Sequence, residues 1–131
     1  MKMACLALLA ALLPMPAFAA CPPGQSAMLT VRLYFGQNMH GRAIAPAAWR
    51  DFLARTVTPR FPDGFTVYEA QGQWRDTGTH IIGHEASKVI EIVAPESQQL
   101  QTRVEELRKN YMSRFHQQAV GLLTLPACGT F

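Results

Sequence analysis

The chain has 131 residues, 49% of them hydrophobic, and 12 Lys and Arg against 9 Asp and Glu, a net charge of +3. That length allows one domain with a modest core. The small, scattered positive surplus is not the clustered patch of a nucleic-acid-binding surface, and beyond the apolar N-terminal run no second stretch approaches the roughly 18 residues of a transmembrane segment.

Met1-Lys2, the apolar run Leu6 to Leu13 and the small-residue exit Ala17-Phe18-Ala19-Ala20 have the layout of a cleaved secretory signal, residues 1–20. Residues 21–131 then form a single domain of 111 residues (131 less 20) working in the periplasm or outside the cell. Cys5 leaves with the signal, so Cys21 and Cys128 are the two thiols of the mature chain, and an oxidising compartment favours a disulfide between them. Such a bond closes a loop of 107 residues (128 less 21) and constrains the unfolded chain by on the order of 4 to 5 kcal/mol. The alternative is a lipid anchor on Cys21, making the protein a lipoprotein. Against it, Phe18-Ala19-Ala20 lacks the usual Leu three places before the cysteine, and the A-x-A site competes.

Met28 to Phe35 alternates in period two and predicts a half-buried strand, with Leu29, Val31, Leu33 and Phe35 on one side and Thr30, Arg32 and Tyr34 on the other. Gly36 ends it, and Gln37 to Ala45 reads as a loop. Pro46 suits a first helical turn, and Trp49, Phe52, Leu53 and Val57 follow at helical spacing until Thr58-Pro59 closes the helix. Phe61-Pro62-Asp63-Gly64 is a turn, and Phe65 to Tyr68 begins a long hairpin that turns at Asp76 to Thr79 and returns through His80 to Val93. Gly72 and Gly83, midway along its arms, leave a bulge and a one-residue change of register open. From the cap Ser97, an apolar stripe of Leu100, Val104, Leu107, Tyr111 and Phe115 predicts a helix of more than four turns, with Glu105 and Lys109 paired on its wet face. Ala119 to Leu125 is a last strand, stopped by Pro126.

The order is βαββαβ, an α+β pattern of the ferredoxin-like type: a four-stranded antiparallel sheet with two helices on one face. In that topology the first and last strands are antiparallel neighbours, which brings Cys21 beside Cys128. Arg32 and Tyr34 then point from the open face, with Thr66 and Tyr68 as candidates to join them, and suit a ligand platform or a homodimer interface; an ordinary wetted sheet is the bland alternative.

The region from Gln71 to Lys88 gathers Trp74, Arg75, Asp76, His80, His84, Glu85, Ser87 and Lys88. The two histidines are four apart, but along a strand that is about 13 Å, too far for one zinc ion, so no metal site is expected. Arg75 as an anion clamp and Glu85 as a general acid or base would make a small-molecule enzyme; Glu85 with Lys88 reads more plainly as a surface ion pair. Arg60, in the rigid Val57 to Gly64 run, is that segment's ligand-facing candidate. There is no Gly-x-Ser-x-Gly elbow and no glycine-rich phosphate loop after a strand, and no cofactor is expected. The expectation is a binding or interaction module rather than a catalyst.

Tyr34-Phe35-Gly36, Trp49 and Phe52, the Thr58-Pro59-Arg60-Phe61-Pro62-Asp63-Gly64 string, Gly72-Gln73-Trp74-Arg75-Asp76, Glu85-x-Ser87-Lys88, Tyr111-x-x-Arg114-Phe115-x-Gln117 and Cys128-x-x-Phe131 together resemble the bacterial secreted family called domain of unknown function 3574 (DUF3574). The resemblance implies a fold unit and export, and no activity. The chain departs from the pattern after the second helix, where Gln118 to Leu122 replaces a Glu-Ser-Val-Leu-Arg run, so a role for an acid or arginine there does not carry over.

Overall fold

The computed structural model describes residues 20–75 and 78–131, so the expected signal lies outside the described residues except for Ala20. The period-two segment forms β1 (Ser26–Gly36), with Val31, Leu33 and Phe35 buried and Arg32 and Tyr34 on the opposite face. The loop after it holds a minimal hairpin, β2 (Asn38–Met39) and β3 (Arg42–Ala43). His40 and Gly41 both have positive φ, 52° and 79°, as a tight two-residue turn requires, and Asn38 Oδ1 accepts the Gly41 N–H at 2.8 Å. Two residues per strand are too few to leave a pattern, which is why this segment reads as loop.

Helix α1 (Pro46–Phe52) starts on Pro46 and widens into a π-helical turn over Leu53–Val57, where the Thr58 N–H reaches back five residues to the Leu53 carbonyl. The extra residue per turn buries Thr56 and Val57 along with Trp49 and Phe52. Next come β4 (Thr66–Arg75), β5 (Ile82–Ala94), α2 (Gln98–Phe115) and β6 (Gly121–Gly129). Ser97 Oγ accepts the Leu100 N–H and caps α2, and the predicted stripe from Leu100 to Phe115 is buried throughout. The helix pairs Glu105 with Arg108 rather than with Lys109.

Four strands form one antiparallel sheet in the order β4-β5-β1-β6, so β1 and β6 are neighbours. All three ladders run without a break, and no bulge interrupts β4 and β5 at Gly72 or Gly83. Pro126 does not stop β6, as its sequence suggests, but sits inside it opposite Leu29. An edge strand tolerates proline when the missing N–H faces outward. Cys21 and Cys128 are joined by a disulfide, with Cα atoms 5.5 Å apart, which fits an oxidising compartment. Among the described residues no helix is long and apolar enough to cross a membrane.

The core lies between one sheet face and the helices. Phe35, Trp49, Phe52, Tyr111 and Phe115 meet there largely edge to face, with the Phe35 and Tyr111 ring centres 4.7 Å apart. The buried Tyr111 hydroxyl donates to the Gly36 carbonyl at 2.7 Å and accepts from Gln37 Nε2 at 2.9 Å. Desolvation in this position drives its pKa far above the usual phenol value. Asp51 bridges Arg114 of α2 and Arg55, tying the helices together.

Candidate binding face and concavity

Unbroken registers make the face away from the helices predictable residue by residue. Across the sheet, Tyr68, Val89, Tyr34 and Gly121 form one row, and Thr66, Glu91, Arg32 and Leu123 form the next. At the centre Arg32 Nε pairs with Glu91 Oε2, and the Tyr68 hydroxyl donates to Glu91 Oε1 at 3.0 Å. Hydrogen bonding by Arg32 holds the Glu91 carboxyl below its ordinary range, and Glu91 in turn raises both Arg32 and Tyr68, chiefly by hydrogen bonding. Each group is therefore fixed in its usual neutral-pH form. Around this neutralised centre Tyr34, Tyr68, Leu123 and Leu125 are 40 to 44% exposed, while Val89 is buried.

At one end of the face β4 and β5 outrun β1. The last β1–β5 pair is Gly36 with Ser87, whereas β4 and β5 stay paired to Arg75 and Ile82, so Gln71–Arg75 and Ile82–Ala86 project as a two-stranded arm. In the angle between this arm and the sheet lies a cavity of about 470 Å³ lined by Asn38, Gly41, Trp74, His84, Glu85, His116, Gln117, Gln118 and Ala119. The Trp74 indole lies against Gly83, where a Cβ would stand 2.9 Å from Cζ2, so only glycine fits beneath the ring. Glu85 reaches over Gly36 and accepts the Asn38 N–H at 3.0 Å through Oε1. His116, at φ 52°, ends α2 in a left-handed turn that swings Gln117 back, so that its Nε2 donates to the Asn38 carbonyl at 2.6 Å and the Phe115 carbonyl at 3.1 Å. The His40 and His116 rings pack 5.1 Å apart beside it.

The seven expected ligand-binding residues therefore separate. Trp74 and Glu85 share the concavity, and Arg32 and Tyr34 belong to the centre of the same face. Arg75 alternates to the opposite face of the arm. Lys88 is also on the helix side, where it pairs with Glu69 instead of Glu85 and stands 5.7 Å from the centre of the Trp49 ring. Arg60 donates to the Thr56 carbonyl at 2.9 Å and pairs with Glu106, bracing the corner between α1 and β4. Asn38, His116 and Gln118 carried no signal in the sequence, and Gln117 stood out only within the family resemblance. Among the described residues no group of three His, Cys, Asp or Glu side chains could hold a metal ion. A second cavity, of about 380 Å³, lies against the disulfide between Met28, Glu96 and Pro126, and gathers no set of converging polar groups.

Known structures resemble the fold at low identity. A phage SAM lyase in complex with S-methyl-5'-thioadenosine has a TM-score of 0.59 at 14% identity, over 87% of this chain and 95% of that one. The phage SAM lyase in its apo state gives 0.58 at 16%, over 95% and 97%. The B. subtilis GlnK–ATP complex gives 0.52 at 13%, over 79% and 83%. At these identities the likeness concerns the fold alone. No curated protein matches the sequence. The model of the family described as protein of unknown function (DUF3574) matches residues 30–131, and the chain belongs to that family.

Proposed function

We propose that the protein is an exported, ferredoxin-like binding module, a single domain over residues 21–131, that assembles as a homodimer through its open sheet face. The disulfide and the strand order support the export and the fold type. The observation that carries the assembly is the composition of the face: half-exposed Tyr34, Tyr68, Leu123 and Leu125 surround an ion pair that is already neutralised within the chain. A partner covering this face buries apolar and aromatic surface without stranding a charge. Light scattering on the exported protein is the test. The expected result is a dimer at micromolar concentration that Leu123→Lys converts to monomer with its fold intact; a wild type that stays monomeric at high micromolar concentration removes the assembly.

A second reading, a small-molecule site or enzyme on the Trp74–Lys88 arm, is favoured by the meeting of Trp74 and Glu85 in one concavity. Two structural neighbours carry adenosine-bearing ligands, S-methyl-5'-thioadenosine and ATP, which supports a search among such compounds. The positions of Arg75 and Lys88 on the other face favour binding over acid–base chemistry. A rise in melting temperature with either compound, abolished by Trp74→Ala, supports this reading; no rise with either counts against it.

A further inference from the structure

We propose that the concavity at the end of the open face takes an organic cation of the alkylammonium type, held between the Trp74 indole and the Glu85 carboxylate. The proposal rests on the small-molecule reading and names its ligand class.

Three features select a cation. Among the described residues Glu85 is the only carboxylate lining the cavity, where it stands with His84 and His116, and no lysine or arginine lines it. Its Oε1 is engaged by the Asn38 N–H, while Oε2 accepts no hydrogen bond and Glu85 has no ion-pair partner among the described residues. The Gln117 amide nitrogen is not offered to a ligand, since it donates to two backbone carbonyls.

The aromatic surface is placed to complete the site. Trp74 faces Gly83 across the ladder, and Glu85 is two residues further along the same strand, so both side chains leave one face as diagonal neighbours about 7 Å apart. One side of the indole is packed on Gly83, yet the side chain is 50% exposed, which leaves its other side bare. An alkylated ammonium is weakly hydrated and gains from an indole face and a nearby carboxylate together, whereas a neutral molecule of equal shape gains only the apolar contact.

The test uses choline and its uncharged carbon isostere 3,3-dimethylbutan-1-ol, titrated calorimetrically into wild type, Glu85→Gln and Trp74→Ala. Glu85→Gln keeps an oxygen for the Asn38 N–H while removing the charge, and circular dichroism checks the fold of both variants. The expected result is saturable choline binding, weakened about tenfold or more in each variant, with the isostere bound at least tenfold more weakly. Equal binding of the isostere, choline affinity unchanged in both variants, or no saturation up to about 50 mM each overturns the proposal. A nucleoside that stabilises the protein through Trp74 while choline fails would keep the small-molecule reading and overturn the cation.

Discussion

Replacing both Cys21 and Cys128 by serine probes how the chain's ends are held. The bond spans 107 residues, and loop-closure entropy over that length raises the free energy of the unfolded chain by about 5 kcal/mol at 25 °C. The folded state loses little, because nine residue pairs of β1 and β6, from Ser26–Gly129 to Tyr34–Gly121, already hold the terminal strands side by side. With an unfolding entropy of about 2.1 cal/mol/K per residue over roughly 110 residues, the loss lowers the melting temperature by about 20 °C. Urea and thermal unfolding of the double variant beside the wild type measure both quantities, and near-UV circular dichroism checks that the native core is unchanged. A loss below about 1 kcal/mol with an unaltered native spectrum would refute the reasoning, since the bond would then not constrain the unfolded chain over its full loop.

Tyr111→Phe removes a buried hydroxyl that serves both the Gly36 carbonyl and Gln37 Nε2, and should cost about 1 to 3 kcal/mol in urea unfolding; a neutral result would mean that water replaces the hydroxyl. The Glu91 carboxyl is depressed below its ordinary value when folded, chiefly by the Arg32 hydrogen bond, so its contribution is present above about pH 4.5 and is lost as pH falls through the lower folded value. Glu91→Gln should therefore flatten the acid limb of the stability profile, and an unchanged limb would show that other carboxylates set it. Gly83→Ala places a Cβ 2.9 Å from the Trp74 ring and should lift the indole. Its emission spectrum should change while buried Trp49 keeps its own; an identical spectrum would contradict the packing.

The sequence was most informative where one physical requirement acted alone. β1 was legible because a central strand with one buried face must alternate, and α2 because five core residues recur at its helical period. The disulfide followed from compartment chemistry and strand adjacency together. Pro126 misled because proline ends strands in general, and only its place at a sheet edge removes the conflict. Lys88 and Glu85 looked like partners in sequence, but three residues along a strand place side chains on opposite faces, and Lys88 finds Glu69 across the ladder. Half of the concavity was invisible for a different reason. Asn38 and Gln117 are 79 residues apart and meet only because a left-handed His116 and a two-residue hairpin turn both chains inward.

The open sheet face as binding surface is tested most directly by a dilution series of amide NMR spectra on the disulfide-bonded protein. Assembly through that face predicts concentration-dependent shifts concentrated at Arg32, Tyr34, Tyr68, Leu123 and Leu125, with the amides of α2 unmoved. Spectra that do not change with concentration, or changes confined to α2, would contradict it.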